Sequence, residues 1–384
     1  MRGHVGSPND PQRPPEHWTS ELLAYAAGVI DSDGSIAIAL DRSAMRARRV
    51  DSAPIHRESA TLRQIDPQAV DLFHHAFGGS RFIYTPRMKR AHPLHSWKIG
   101  NSMAATFLAA IAPYLRIKLR QAELCVELRR LKSQTGTTVI PSRGNVSGSL
   151  ADDLFLAMVE LRAEILRLNR VEGRAARCAS AAARGAVAGR TEVGERIGPR
   201  PARREADLNA DLLAYAAGVI DSDGSIGIRR KTYAMRVLCT TDQPTFSERV
   251  TIRQIEPEAV DLLHAQFGGC RSVIVAKGKR TKRQPLQSLQ LVDRHAAFLL
   301  AAVLPHLRIK RRQAELCLEL RRLKEESRKA RFAYGRGHRG GAKRPEAITA
   351  AMEELHARVK ALNRFDGRAP CAVDGPPVGP RAAP

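Results

Sequence analysis

Long apolar runs are missing from this sequence: stretches such as LLAYAAGVI at 22–30 fall well short of the ~18 residues that a membrane-spanning helix needs. No segment is therefore expected to cross a bilayer. The N-terminal MRGHVGSPNDPQRPP has no apolar stretch behind its charge, which argues against a secretory signal. Cysteines are six, at 125, 178, 239, 270, 317 and 371, without any C-x-x-C spacing. That scatter excludes both a zinc ribbon and a disulfide framework. Acidic residues are also in short supply, 39 Asp plus Glu against 63 Lys plus Arg, so the formal net charge is +24. Such a balance selects a polyanionic partner, nucleic acid first.

What the chain does contain is a module written twice. LLAYAAGVIDSDGSI occurs at 22–36 and again, unchanged, at 212–226. LRQIDPQAVDLFHHAFGG (62–79) returns as IRQIEPEAVDLLHAQFGG (252–269), and LRIKLRQAELCVELRRLK (115–132) as LRIKRRQAELCLELRRLK (307–324). LNRVEGR (168–174) and LNRFDGR (362–368) close the copies, and the offset drifts only from 190 to 194 residues. One repeat of this length is a whole domain, not a solenoid unit. The expected organisation is a disordered leader (1–17), a first module (18–174), an Ala/Arg/Gly/Pro-rich linker (175–207), a second module (208–368) and a disordered tail (369–384).

Within the first copy the periodicity predicts a helix over about 20–31, strands at 35–40 and 57–65, and a helix opened by Asp66-Pro67 and stopped by Gly78-Gly79. That start and stop follow N-cap, N1-proline and C-terminal glycine chemistry. Strands near 81–85 and 94–99 come next, then amphipathic helices at about 102–112, 116–132 and 151–169. The fold class is α+β: two tandem, pseudo-symmetric αββαββα modules, each an antiparallel sheet with helices on one face.

Glycine inside a helix costs about 1 kcal/mol relative to alanine, so Gly28 and Gly218 call for a close neighbour. Ala24, Ala27 and Gly28 share a face, as do Ala214, Ala217 and Gly218. Two such faces can cross with their backbones nearly touching, which brings the C-terminal ends of the helices together. Asp31 and Asp33 sit at one end, Asp221 and Asp223 at the other. The helix dipole already places partial negative charge there, and crowded carboxylates at that spot call for a cation. Hard oxygen ligands suit Mg²⁺, which takes one or two carboxylates plus waters and phosphate oxygens. That arrangement suits phosphodiester hydrolysis. A calcium loop is excluded, because counting from Asp31 the sixth and twelfth places hold Ile36 and Arg42 instead of glycine and glutamate.

AAGVIDSDGSI, present twice, resembles the LAGLIDADG motif, and the QID/QIE and LRIK segments fall in the order seen in the LAGLIDADG homing endonucleases. The resemblance spans most of residues 18–370. It implies a single-chain, monomeric, metal-dependent endonuclease that makes a double-strand break, with Mg²⁺ or Mn²⁺ as cofactor and a saddle of antiparallel sheets on DNA. By it, Asp33 and Asp223 are metal ligands, and Ser32 and Ser222 stand where a backbone carbonyl is offered to metal. Asp31 and Asp221 brace the helix ends, Lys118 and Lys310 stabilise charge or activate water, and Gln64 and Gln254 organise the water network. The second copy departs from Q-x-D, with Glu256 in place of Asp66. The rival reading of the two lysines is a solvated helix face.

If Ile36, Ile38 and Leu40 face the helices, Ser35, Ala37, Ala39 and Asp41 face outward, joined by Ser59, Thr61, Arg63, Ser96 and Lys98. The outward set of the second copy is Ser225, Gly227, Arg229, Lys231, Ser247, Arg249, Thr251, Arg253, Ser288 and Gln290. Such faces can read base edges in a major groove, although an ordinary solvated sheet looks the same. The two faces differ where the motifs agree, which predicts a long, asymmetric duplex target. Basic stretches at 46–49, 87–90 and 277–283 are candidate phosphate grips. Intron RNA, as for a splicing maturase, is the alternative partner, and a splicing assay with and without the protein discriminates the two. Cys125, Cys317 and Trp97 are read as core residues.

Overall fold

In the computed structural model the described residues are 15–41, 55–84, 92–134, 148–170, 208–231, 243–274, 284–333 and 344–364. The linker at 175–207, the tail from 369 and the three basic stretches lie outside them. The first half runs α1 (Ser20–Asp33), β1 (Gly34–Asp41), β2 (Ile55–Gln64), α2 (Pro67–Phe77), β3 (Ser80–Tyr84), β4 (Leu94–Gly100), α3 (Asn101–Ile111), α4 (Leu119–Gln134) and α5 (Gly148–Asn169). The second half repeats it as α6 (Ala210–Asp223), β5 (Gly224–Lys231), β6 (Thr245–Gln254), α7 (Glu258–Phe267), β7 (Cys270–Ile274), β8 (Leu286–Val292), α8 (Arg294–Val303), α9 (Arg311–Ala333) and α10 (Glu346–Leu362). Each half builds one antiparallel sheet, ordered β1-β2-β4-β3 and β5-β6-β8-β7. This is the α+β architecture that the sequence pattern predicts. Among the described residues, no helix is long and apolar enough to cross a membrane.

Local chemistry explains the element ends. Thr19 caps α1 by accepting the Leu22 amide at 3.2 Å, and Asn209 caps α6 through the Asp211 amide at 2.8 Å. Asp66 caps α2 through the Gln68 amide at 2.9 Å, with Pro67 in the first turn. The longer Glu256 takes that place in the second copy, where α7 starts at Glu258 after a Pro257 that makes no side-chain cap. Gly78 and Gly268 end these helices at φ +70, a conformation that favours glycine.

The inward strand faces carry the core. Ile36, Ile38, Ala60, Leu62, Trp97 and Ile99 are buried in the first sheet, and Ile226, Val250, Ile252, Leu289 and Leu291 in the second. Trp97 is core, donating its indole N–H to the Gly78 carbonyl at 2.6 Å. Around it Phe73, Phe77 and Phe107 meet edge to face or tilted, a favourable aromatic geometry. Leu263, Leu289 and Leu299 are the buried counterparts of Phe73, Trp97 and Phe107, so the same backbone plan carries fewer aromatic rings in the second copy, where Phe267 and Phe298 remain packed together. Cys125 and Cys317 are buried as expected, their thiols directed at the Ala37 and Gly227 carbonyls, and burial pushes both up to about 12. The recurring LNR segments have a structural reason: Asn169 and Asn363 pin the last helices to the first strands through the Ile36 and Ile226 carbonyls, each at 2.8 Å.

One shared device escaped the sequence reading. Glu58 of β2 lies on the inward face and accepts from Arg129 and Lys132 of α4, both at 2.9 Å. Glu248 of β6 does the same with Arg321 at 2.8 Å and Lys324 at 2.9 Å. Both glutamates are fully buried, so each helix is fixed to its sheet by charge inside the core.

Candidate active site and nucleic-acid interface

The two motif helices are the centre of the molecule. Residues Leu23 to Asp31 of α1 are buried without a break, as fits a helix with neighbours on all sides. One side meets its own module and the other meets α6. A Cβ on Gly28 would strike the Tyr215 carbonyl oxygen and reach the Val219 nitrogen at 3.0 Å; one on Gly218 would strike the Tyr25 carbonyl oxygen and reach the Val29 nitrogen at 3.1 Å. Backbone therefore touches backbone where the helices cross. Ala24, Ala27, Ala214 and Ala217 are buried in the same junction.

At the joined C-terminal ends the two acids of each motif have different surroundings. Asp31 is buried and accepts the backbone amides of Arg116 at 2.7 Å, Ile117 at 3.1 Å and Lys118 at 2.9 Å. Asp221 accepts those of Arg308 at 2.8 Å, Ile309 at 3.1 Å and Lys310 at 2.9 Å. Burial raises both carboxyls above the usual range, against the pull of these amides and the lysines. Asp33 and Asp223 instead remain half-buried. Gln64 donates to Asp33 at 2.7 Å and to Ser222 of the other motif at 3.3 Å. Gln254 donates to Asp223 at 3.0 Å and to Ser32 at 2.9 Å. Asp223 is pushed up to about 6, first by burial and next by the negative charge of Asp33.

Lys118 and Lys310 turn their ammonium groups onto the ends of the motif helices. Lys118 Nζ donates to the Ile30 carbonyl at 2.6 Å and the Asp31 carbonyl at 2.7 Å. Lys310 Nζ donates to the carbonyls of Ile220 at 2.8 Å, Asp221 at 2.7 Å, Ser222 at 3.3 Å and Gly224 at 2.7 Å. A cation at a helix C-terminus opposes the dipole and satisfies its free carbonyls. Burial lowers the Lys310 pKa, while Asp221, Asp33 and Asp223 raise it. One ammonium thus faces three carboxylates at the junction.

Strand register places the predicted interface residues in rows. Ser35, Thr61 and Lys98 line up across β1, β2 and β4, and Arg63 stands beside Ser96. Ser225, Thr251 and Gln290 form the matching row, with Arg253 beside Ser288. Ser35, Arg63, Lys98, Ser225, Arg229, Lys231 and Arg253 are exposed. Ala37, Ala39, Asp41, Thr61, Gly227, Arg249 and Gln290 are half-buried. Ser96 and Ser288 are only 1% and 5% exposed, and Thr251 is buried too. Arg249 donates to the Thr251 hydroxyl at 3.1 Å and to Gln290 at 2.9 Å, while Asp41 holds Arg57 at 2.6 Å. A 510 Å³ cleft runs from Asp223 past Ser225 to Arg229, Arg249 and Arg253. It joins the acidic junction to the polar face. Phe82 lies across from Ser96 and is exposed, an addition that alternation of apolar residues cannot reveal.

The donor set fits a hard, oxygen-preferring divalent cation such as Mg²⁺ or Mn²⁺ better than a nitrogen- or sulfur-preferring one such as zinc or copper. No group of three or more His, Cys, Asp and Glu side chains that could hold a metal occurs among the described residues. Two carboxylates, Asp33 and Asp223, meet at the junction instead, and their mutual repulsion is the feature a cation relieves.

No family model matches the sequence, and no curated protein is similar to it. Solved structures are similar in fold. The crystal structure of the LAGLIDADG homing endonuclease I-GzeII in complex with its DNA target covers 89% of this chain and 99% of its own, at 11% identity and a TM-score of 0.53. The I-SmaMI LAGLIDADG homing endonuclease bound to cleaved DNA covers 87% and 95%, at 14% identity and a TM-score of 0.51. I-SmaMI bound to an uncleaved DNA target in the presence of calcium ions covers 87% and 97%, at 14% identity and a TM-score of 0.50. The chain has the fold of the LAGLIDADG homing endonucleases, with both modules spanned by one neighbour chain.

Proposed function

We propose that this protein is a LAGLIDADG homing endonuclease: a monomeric, site-specific nuclease that cuts both strands of a long, asymmetric DNA duplex using Mg²⁺ or Mn²⁺. The observation that carries the reading is the meeting of Asp33 and Asp223 at the junction of α1 and α6, where Asp223 is pushed up to about 6 partly by the charge of its counterpart. The polar strand faces and the net charge of +24 supply a surface for a polyanion. I-GzeII and I-SmaMI, whose fold is the same, were solved with DNA.

Asp33 and Asp223 would hold the cation, with the Ser32 and Ser222 carbonyls beside them. When bound, such an ion polarises the scissile phosphate and makes water a better nucleophile at neutral pH. Gln64 and Gln254 fix the two carboxylates by donating an amide N–H to each. Lys118 and Lys310 neutralise the helix ends and bring positive charge to a junction that must accept a phosphate. Arg63, Lys98, Arg229, Lys231, Arg249 and Arg253 contact bases and phosphates. Thr61, Ser35, Ser225 and Gln290 contribute neutral hydrogen-bonding groups on the same faces.

Selection of cleavable duplexes from a randomised library, with Mg²⁺ and with EDTA, tests this. The expected result is a double-strand break at one asymmetric site, abolished by EDTA. Asp33→Asn or Asp223→Asn should slow cleavage by roughly 10²-fold or more while DNA binding persists. Undiminished cutting by both variants would remove these residues from the mechanism.

A further inference from the structure

Each motif helix reaches into the other module with a buried tyrosine. Tyr25 of α1 donates its hydroxyl to Asp221 Oδ2 at 2.9 Å, and Tyr215 of α6 donates to Asp31 Oδ2 at 3.0 Å. The rings are 2% and 3% exposed. A ring needed only to fill space could be a phenylalanine, since a buried hydroxyl must find a partner. Here the partner is, in both copies, the carboxylate that organises the lysine-bearing loop. Asp221 collects the Tyr25 hydroxyl together with the amides of Arg308, Ile309 and Lys310. Asp31 collects the Tyr215 hydroxyl with those of Arg116, Ile117 and Lys118. Burial, and next the facing aspartate, raise both tyrosines well above their ordinary pKa, so the hydroxyls stay protonated donors. The glutamines repeat the exchange, Gln64 reaching Ser222 and Gln254 reaching Ser32.

We propose that Tyr25 and Tyr215 are positioning residues acting across the module boundary: Tyr25 sets the loop that carries Lys310, and Tyr215 sets the loop that carries Lys118. Neither half-site is then complete until α1 and α6 are docked, which couples the two strand cuts. The coupling of cuts rests on the endonuclease reading; the ordering of the loops does not.

Tyr25→Phe and Tyr215→Phe in the full chain keep the ring and remove the donor. By amide hydrogen exchange, Tyr25→Phe should raise exchange over 308–310 and leave 116–118 unchanged, and Tyr215→Phe should do the reverse. On supercoiled plasmid carrying the selected site, each variant should accumulate nicked circles, with cutting of one strand slowed by roughly tenfold or more and the slowed strand differing between the two. Exchange that is unchanged, or raised equally in both loops as a general loss of stability would give, overturns the proposal. So do nicks shared equally between strands. If the wild-type protein cuts no DNA, the nuclease reading fails, and the exchange pattern alone decides the loop assignment.

Discussion

Asp33 and Asp223 differ from Asp31 and Asp221 in what their neighbours do. The first acid of each motif is consumed by amides, whereas the second is held by one glutamine and left facing its like-charged counterpart. With Asp223 pushed up to about 6 and an unfolded aspartate near 3.9, the folded protein keeps a proton that the unfolded chain has released between those values. Without metal, stability therefore falls as pH rises from about 4 to 6, by about 2 kcal/mol in all. Thermal unfolding in EDTA should show a falling slope in the wild type and a shallower one in Asp223→Asn, where the raised carboxyls of Asp31 and Asp221 remain. Divalent metal binding runs the other way and should weaken below about pH 6, because proton and cation compete for the carboxylate. The sequence was informative about which residue types gather here, since the motif occurs twice. It was silent on the lysines' donation to helix carbonyls, because the direction of a flexible side chain is decided by its surroundings.

Elements were read more easily than the contacts between them. Helix and strand periods, the Asp66-Pro67 start and the Gly78-Gly79 stop are local chemistry, and the structure matches them within a few residues. One boundary moved for a tertiary reason: α4 starts at Leu119, not near 116, because the amides of 116–118 are engaged by Asp31. The small-residue face predicted the helix crossing, and the crossing can be tested. Gly28→Val would push a branched side chain into the Tyr215 backbone and should cost about 3 kcal/mol or more of stability in urea unfolding. The buried Glu58 was missed, because a charged residue on an inward strand face breaks the pattern that identifies the face. Glu58→Ala leaves Arg129 and Lys132 buried without their carboxylate and should destabilise by about 3–5 kcal/mol, the cost of stranding buried charge. A surface control such as Arg130→Ala, whose partner Glu127 lies one turn away on the same helix, should change stability by less than about 1 kcal/mol.

Across the whole molecule the duplicated plan carries unequal faces. The second face bears Arg229, Lys231, Arg249 and Arg253, whereas on the first Arg57 is tied to Asp41 and Arg63 and Lys98 remain exposed. Duplication and divergence are both legible in the sequence; base preferences are not, because they depend on a partner whose shape the chain does not encode. Arg253→Ala should weaken binding to one half of the selected site by about 1–3 kcal/mol and relax base preference there only. A loss that is the same whatever bases occupy that half would make Arg253 a phosphate contact.

The proposed nuclease depends on Asp33 and Asp223 together forming a seat for one kind of ion. The most direct measurement is electron paramagnetic resonance titration of Mn²⁺ into the protein on its selected duplex at pH 7.5, for the wild type and for the double variant Asp33→Asn/Asp223→Asn. The account predicts protein-dependent bound Mn²⁺ in the wild type and its loss in the double variant. Equal Mn²⁺ binding by the two proteins would contradict it.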